Sequence, residues 1–249
     1  EAAGQGLIAG MNAHQNAVGG EPFVLGRDEA YIGVLIDDLV TKGVDEPYRM
    51  FTSRAEHRIL LRQDDADLRL TGRSHAVGLA SDHRYDLMVK KRESIEKLVQ
   101  FTKDFSVKSA LINPYFERLG LPLLKQGSKL FDLILRPQLG VKMLAKAIPA
   151  LDEELEKTDV WRRDEIVEAA EIRIKYHGYI EREEQIAAKI GRLEKVKIRG
   201  KFDYASIHQI STEARQKLDK IDPETIGQAS RIPGISPSDI NILLLLLGR

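Results

Sequence analysis

The spacing of hydrophobic residues predicts a mainly helical chain. Apolar positions recur every three or four residues over long stretches, which aligns them on one face of an α-helix. Residues 113–148 instead alternate short apolar runs with proline and glycine, which predicts several short helices packed at angles. The longer helices are predicted over residues 28–43, 84–105, 159–196, 211–221, 222–232 and 236–247.

Several of these helices have recognisable ends. Gly43 is predicted to end the first, because glycine adopts the left-handed conformation common after a helix. Pro223 and Pro237 suit first-turn positions, where a missing N–H costs nothing. Ser236 and Asp239 approximate a capping box at the start of the last helix.

Two of the helices have distinctive patterns. The helix over residues 84–105 places Met88, Ile95, Leu98 and Phe101 inward, and its basic triplet Lys90, Lys91 and Arg92 is expected to be solvated. The helix over residues 159–196 is unusually long, with Ile166, Ala170, Ile174 and Ile180 on one side and charges on most others. Its length predicts a projecting arm.

Composition limits the classes of function. The 249 residues include 38 basic and 38 acidic side chains, so polyanion binding would depend on local patches. No cysteine is present, which excludes thiol chemistry in this stretch and fits a reducing compartment. No run reaches the roughly 18 apolar residues of a membrane span. The chain opens on Glu1, which suggests the C-terminal part of a longer protein.

Residues 47–71 contain the densest cluster of one charged side chain. On a helix Arg54, Arg58 and Arg62 would form one ridge, and on a strand Arg58 and Arg62 would share a face. Guanidinium groups bind phosphate or carboxylate with two parallel hydrogen bonds, so the pattern favours an anion site. The five arginines are Arg49, Arg54, Arg58, Arg62 and Arg69.

An alternative is that nearby acidic residues neutralise these arginines in a local ion-pair network. The candidates are Glu56, Asp64, Asp65 and Asp67. The last three suggest a magnesium cluster, but aspartates just before an apolar-periodic segment are more commonly helix caps, so no metal site is predicted. The neighbouring acidic residues at positions 37 and 38 are expected to pair with arginine or water, because adjacent helical side chains diverge.

Two further segments have residue types suited to ligands. Lys175, Tyr176 and Tyr179 combine aromatic rings with a cation, which suits unpaired bases and phosphate. The more common role of such tyrosines is half-buried packing. At the start of the chain, free N–H groups of a helix spanning Glu1, Ala2, Ala3, Gly4 and Gln5 could face a phosphate or an electron-rich ring. Tight packing of small residues is the alternative there.

Six stretches resemble the MnmG/GidA family, whose members are the flavoprotein subunit of an enzyme that modifies the wobble uridine of tRNA. Residues 1–13 (EAAGQGLIAGMNA) are similar to the second half of the family signature. Residues 26–41 (GRDEAYIGVLIDDLVT) and 47–71 are similar to its longest motif block. The later stretches IRIKYHGYIER, FDYASI and IGQASRIPGISPSDI follow in the family's order, and the middle of the chain diverges.

The resemblance implies a fold and a domain order. Residues 1–20 would close an FAD-binding domain, 21–80 would form an arginine-rich region with mixed α/β character, 81–158 a helical connection, and 159–249 a helical C-terminal domain. The dinucleotide fingerprint G-x-G-x-x-G is absent from this sequence, so the main FAD-binding part is expected upstream.

The resemblance also implies cofactors, partners and site residues. FAD, NADH and methylenetetrahydrofolate would serve the reaction, with tRNA, the GTPase MnmE and a second copy of the protein as partners in the cytoplasm. Glu1 to Gln5 would contact the cofactor, and Arg49, Arg54, Arg58, Arg62, Arg69, Lys175 and Tyr179 would contact tRNA or substrate. Glu213, Gln228 and Arg231 would serve tRNA or partner docking. No catalytic residue is indicated.

Two other functions remain open from the residues alone. The chain could be a helical protein-interaction module without catalysis, or a general nucleic-acid-binding module using its tyrosines and the hairpin Ile232-Pro-Gly-Ile235. A salt-insensitive protein complex would favour the first, and similar affinity for duplex DNA and tRNA would favour the second.

Overall fold

The structure, a computed structural model, describes residues 1–42 and 47–248 and is mainly helical, as predicted. Gly43, the predicted helix end, lies outside these residues. A two-stranded antiparallel sheet joins β1 (Ser106–Val107) to β2 (Ser128–Lys129). The helices are α1 Ala2–Val18, α2 Tyr31–Lys42, α3 Ala66–Ala76, α4 Asp82–Asp104, α5 Ser109–Arg118, α6 Leu130–Ile134, α7 Val141–Ala145, α8 Pro149–Glu156, α9 Arg163–Lys175, α10 His177–Glu194, α11 Thr212–Ile221, α12 Ile226–Arg231 and α13 Pro237–Leu246.

The chain divides into two compact units. Unit 1 combines Glu1–Leu61 with Arg182–Arg249, and unit 2 is Arg62–Glu181. The sequence segments 21–80 and 159–249 are therefore each shared between the two units. Over the described part of the chain, no helix combines the length and apolar character needed to cross a membrane.

The core of unit 2 lies between α4 and α9. Ile95 and Leu98 of α4 are buried together with Ile166, Ala170 and Ile174 of α9. The predicted projecting arm over residues 159–196 is therefore wrong. Its isoleucines and alanines bury α9 in a core, and the helix is interrupted at Tyr176, where φ is −101° and ψ is 9°.

Lys91 of α4 was expected to be solvated, but it is only 1% exposed. Its stem follows the buried face of α4, and its ammonium group donates to both carboxylate oxygens of Asp67, at 3.0 and 2.9 Å, and to Glu165. Burial acts to lower the pKa of Lys91, and the bonds to Glu165 and Asp67 overcome it and raise that pKa. Sequence spacing missed this because one carboxylate lies 74 residues away.

The expectation that aspartates cap the start of α3 holds only in part. Asp65 occupies the N-cap position without accepting a capping hydrogen bond, and it pairs with Arg62 and Arg69 instead. Asp67, in the first turn, accepts the Leu68 N–H at 2.9 Å and also pairs with Lys91. Within the described ranges, no group of three or more potential metal ligands occurs.

The C-terminal bundle of unit 1 has helix ends close to those predicted. Asp239 and Ser236 form the predicted capping box at α13, and Pro237 lies in its first turn. Pro223 does not begin a helix, because α12 starts at Ile226 and is capped by the Thr225 hydroxyl. The bundle core consists of Val196, Ile198, Tyr204, Ile207, Ile210, Ala214, Leu218, Ile226, Ala229, Ile232, Ile240 and Leu243.

Asp239→Asn is expected to destabilise this bundle by about 1–2 kcal/mol. The buried carboxylate accepts the Ser236 N–H at 2.8 Å with one oxygen and the Ser211 N–H at 2.9 Å with the other, and an amide can accept with only one atom. Denaturant unfolding at pH 7 measures the difference. Asp219→Asn, on the exposed face of α11, is the matched control.

The same variant has an expected pH dependence. Burial acts to raise the pKa of Asp239, but bonds from Ser236 and Ser211 hold it below its usual value. A carboxylate with a lowered pKa stabilises the fold above the unfolded pKa, and this is lost as pH falls through the folded pKa. The gap between wild type and Asp239→Asn should therefore shrink below about pH 4. A gap that widens in acid would contradict this assignment.

Candidate nucleic-acid interface

The arginine-rich run does not form one regular element. Thr52–Arg54 is a single 3-10 turn, and Leu60 and Leu61 donate to the carbonyls of His57 and Arg58 in further tight turns. The prediction that a helix or strand aligns Arg54, Arg58 and Arg62 is therefore wrong. The buried side chains of Ala55, His57 and Leu61 hold this part of the run against unit 1, which leaves intervening positions outside.

Arg54 is half-buried and held on three sides. Its guanidinium carbon lies 4.6 Å from the centre of the Tyr48 ring, and its Nε donates to the Arg49 carbonyl at 2.9 Å. Its Nη1 lies 3.8 Å from the buried carboxylate of Asp38. Arg54 therefore helps to shape the segment as well as presenting charge.

Arg49 and Arg58 are the exposed arginines of unit 1's part of the run. The Arg49 side chain is 75% exposed, and its Nε lies 3.9 Å from the Glu1 carboxylate. The Arg58 guanidinium is exposed and has no hydrogen-bond or ion-pair partner among residues 1–42 and 47–248. Both side chains are available to an external anion.

Arg62 and Arg69 belong to unit 2 and follow the ion-pair alternative. Arg62 pairs with Asp64 at 3.1 Å and with Asp65 at 2.7 Å. Arg69 pairs with Asp65 at 2.9 Å and donates to the Arg62 carbonyl at 2.7 Å. These two guanidinium groups brace the start of α3.

Arg27 is the centre of an ion-pair network in unit 1 formed by Arg27, Asp37, Asp38, Glu56, Glu194 and Arg231. Its guanidinium donates to both oxygens of Glu56 at 2.8 and 2.9 Å, to Asp38 at 2.7 Å and to Asp37 at 2.9 Å. Asp37 and Asp38 thus pair with arginine, as expected, but their main partners lie outside the arginine-rich run. Burial acts to lower the pKa of Arg27, and Glu56 and Asp38 raise it above its usual value.

Asp38 is fully buried and also accepts a hydrogen bond from the arginine-rich run. The Tyr48 hydroxyl donates to its Oδ2 at 3.0 Å, opposite the bond from Arg27 to Oδ1. Burial and the bond to Asp38 raise the pKa of Tyr48 to about 12, so the hydroxyl stays protonated as a donor at neutral pH.

Arg231 ties the C-terminal bundle into the same network. Its Nε and Nη2 donate to the two oxygens of Asp37 at 2.9 and 2.7 Å, and its Nη1 bonds Glu194. Glu194 also accepts from the Thr225 hydroxyl at 2.8 Å. Arg231, proposed from sequence for docking, is thus largely engaged inside unit 1.

The other two candidate docking residues differ in exposure. Gln228 accepts the Glu224 N–H at 2.8 Å with its side-chain oxygen and so caps the loop before α12. The Glu213 side chain is 61% exposed and pairs with Lys217 one turn later at 2.6 Å. Glu213 alone of the three presents a mainly exposed polar group.

A cavity of about 460 Å³ lies beside the network in unit 1. Its walls are mostly apolar, with Ile8, Phe23 and Ile36 among them, and Arg27 and Arg231 form part of its polar side. The network therefore supports one wall of a cleft instead of filling it.

The start of α1 lies next to the arginine-rich run. Glu1 is the N-cap residue without a capping bond, and its carboxylate accepts the Met50 N–H at 2.9 Å. That bond is the main cause of the lowered pKa of Glu1. The first turn contains Ala2, Ala3, Gly4 and Gln5, of which Ala2, Ala3 and Gln5 are exposed.

The lysine–tyrosine group predicted for bases lies in unit 2. Lys175 pairs with Glu171 at 2.7 Å. Tyr179 is 68% exposed and Tyr176 is 49% exposed, so Tyr179 in particular is not a packing residue. Tyr179 thus exposes much of its ring, while the charge of Lys175 is paired with Glu171.

Sequence reasoning missed the residues that hold this site together. Arg27 lies in a loop without periodicity, and Glu194 is 37 residues from its partner Arg231. His57 is buried and bonds Glu183 at 2.7 Å, a partner 126 residues away. The sequence pointed to Arg27 only through its place in residues 26–41, which belong to the motif block that resembles the family.

Fold and site together define a helical module that holds an arginine-rich surface segment on a network of carboxylates. The chain belongs to the MnmG/GidA family. One family model, "tRNA modifying enzyme MnmG/GidA C-terminal helical domain", matches residues 82–184, and a second, the "C-terminal helical bundle" of the same enzyme, matches residues 186–249.

Relatives and solved structures agree with the family models. The chain is 66% identical to a Parabacteroides distasonis protein and 65% identical to a Bacteroides fragilis protein, each named "tRNA uridine 5-carboxymethylaminomethyl modification enzyme MnmG". Each match covers all of this chain and 40% of the relative, so the chain spans less than half of their length. The crystal structure of Aquifex aeolicus GidA, form II, matches 99% of this chain and 37% of that one, at 40% identity and a TM-score of 0.78.

Proposed function

We propose that this chain is the C-terminal part of a flavoprotein that adds a carboxymethylaminomethyl group to carbon 5 of the tRNA wobble uridine. FAD, NADH and methylenetetrahydrofolate serve that reaction, and the GTPase MnmE is the partner. The names of the relatives support this proposal, since matches at 60–66% identity extend over the whole chain. This part mainly supplies binding surfaces for tRNA and partners.

The exposed guanidinium of Arg58 is the observation that most supports tRNA binding. Its neighbours Arg54 and Arg62 are engaged within the protein, whereas Arg58 and Arg49 face solvent. A free guanidinium on a braced segment suits a phosphate oxygen, because it forms charge-assisted hydrogen bonds without reorganising the protein. The half-buried Arg54 adds positive charge next to these two arginines. Arg62 and Arg69 hold the start of α3 through Asp65.

Lys175 and Tyr179 are proposed as a second tRNA contact, on unit 2. The exposed ring of Tyr179 suits stacking on an unpaired base, and RNA-binding proteins recognise unpaired bases mainly in this way. This contact is argued separately from the arginine-rich run.

Residues 1–20 are proposed to close the FAD-binding domain, with Glu1 to Gln5 near the cofactor. One observation supports this proposal: α1 has no buried residue, and its apolar side chains Leu7 and Val18 are exposed. Such a helix offers an uncovered surface to a further domain.

Partner docking is proposed for the exposed parts of the C-terminal bundle. Glu213 provides a surface carboxylate on α11, while Gln228 and Arg231 fix the position of α12. At the end of α13, Leu245 and Leu246 remain 73% and 51% exposed. We also propose that the full-length protein forms a homodimer and acts in the cytoplasm.

Complementation tests the proposed activity directly. The full-length protein is expected to restore carboxymethylaminomethyl uridine to tRNA in a bacterium that lacks MnmG, as measured by nucleoside mass spectrometry. Unmodified wobble uridine in cells that contain the folded, flavin-loaded protein would refute the proposed function.

A further inference from the structure

Arg27 lies on the inner side of the loop that presents Arg58. Its Nη2 donates to the Arg54 carbonyl at 3.0 Å, and it bonds Glu56 with two hydrogen bonds. These contacts fix the backbone and one side chain immediately before the exposed guanidinium. Arg27 itself has only 10% of its side chain exposed and cannot contact a macromolecule directly.

The other face of Arg27 is anchored on α2. It bonds Asp37 and Asp38 there, and Asp37 is held in turn by Arg231. The loop before Arg27 packs closely against α2, since a Cβ atom on Gly33 of α2 would lie 2.3 Å from the carbonyl oxygen of Gly26. Only glycine permits the loop before Arg27 to approach the helix so closely.

We propose that Arg27 is a positioning residue for RNA binding: by linking α2 to the Arg54 carbonyl and Glu56, it holds the loop so that Arg58 meets a tRNA phosphate. This inference rests on the proposed function of Arg58. A planar fork suits this role because its five donors reach four groups on two sides, Glu56 and the Arg54 carbonyl on one and Asp37 and Asp38 on the other, whereas an ammonium group has only three donors.

A mutant cycle tests the inference in the full-length protein. The ligand is an in vitro transcript of a tRNA with uridine at the wobble position, and affinity is measured at several salt concentrations. Arg27→Lys keeps the positive charge, so a loss of affinity cannot arise from long-range attraction. We expect it to weaken binding about three- to tenfold and to lower the salt slope by about one phosphate contact.

The double variant Arg27→Lys with Arg58→Ala is expected to bind as Arg58→Ala alone does, because Arg27 acts through Arg58. Multiplicative losses in the double variant would overturn the inference and leave the function of Arg58 intact. If Arg58→Ala alone binds like wild type, the proposed function itself fails, and the two failures are thereby distinguished.

Two controls complete the design. Arg92→Ala removes an exposed arginine from α4 and should leave affinity unchanged. Should Arg27→Lys fail to fold, Glu56→Gln decides instead, since it removes one bond to Arg27 and one negative charge. Loss of affinity in Glu56→Gln supports positioning because the charge change alone would strengthen RNA binding, and a gain in affinity overturns it.

Discussion

Arg58→Ala in the full-length protein is expected to weaken tRNA binding by about tenfold or more and to reduce the modified wobble uridine to near background. The lost interaction is a charge-assisted bond to phosphate, which contributes about 1.5–3 kcal/mol. Because the Arg58 guanidinium has no hydrogen-bond or ion-pair partner within the described ranges, its removal should leave the unfolding temperature unchanged. Nucleoside mass spectrometry and a binding titration measure the two effects.

Arg54→Ala gives an instructive comparison. We expect it also to abolish modification, but Arg54 stacks on Tyr48 and bonds the Arg49 carbonyl, so its loss should lower stability as well. Arg58→Ala is therefore the cleaner variant. Unchanged levels of modified uridine in both variants would count against the arginine-rich run as an RNA contact.

Lys91→Met is expected to destabilise unit 2 by about 1–3 kcal/mol. The substitution leaves the carboxylates of Asp67 and Glu165 without their shared partner, at the base of the α4–α9 core. Those side chains are 32% and 50% exposed, so water recovers part of the cost that a fully buried pair would incur. Calorimetric or denaturant unfolding at pH 7 gives the difference.

The pH dependence of this effect has a defined sign. Because the folded pKa of Lys91 is raised, its stabilising contribution is complete below the unfolded pKa of about 10.5 and is lost as pH rises through the folded pKa. The gap between wild type and Lys91→Met should therefore narrow only in strong alkali. Lys90→Met, an exposed neighbour on α4, is the control and should unfold like wild type. Equal losses in the two variants would disprove the structural role of Lys91.

Local patterns predicted the helical class and several helix ends. The capping box of Ser236 and Asp239 and the many short helices in the middle of the chain follow from residues close in sequence. Pairing of Asp37 and Asp38 with arginine was also expected from the sequence, but the predicted divergence of the two carboxylates is not found, because both accept from Nη1 of Arg27.

Long-range pairs were not predictable from one sequence. Arg231 meets Asp37 across 194 residues, and Lys91 meets Glu165 across 74. From its spacing, Lys91 was expected to be one member of a solvated basic triplet. Only the tertiary fold distinguishes it from Lys90 and Arg92, because the fold buries Lys91 beside two carboxylates. Such pairs leave no periodic signal.

The arginine-rich run illustrates both sides of this limit. The ion-pair interpretation of residues 47–71 is confirmed for part of the run, and the anion site stays a prediction. Arg62 and Arg69 brace α3 through Asp65, whereas Arg49 and Arg58 remain exposed. Whether an arginine is exposed or paired depends on the turns at residues 52–61, and the four-residue spacing of the arginines does not predict those turns.

The salt dependence of tRNA affinity is the most direct measurement of the central claim, that Arg58 contacts a phosphate. For the wild-type full-length protein and Arg58→Ala, the logarithm of affinity is plotted against the logarithm of salt concentration. We predict that the slope for Arg58→Ala is shallower by about 0.7–0.9, the value for one lost phosphate contact. Parallel lines for the two proteins would contradict the claim.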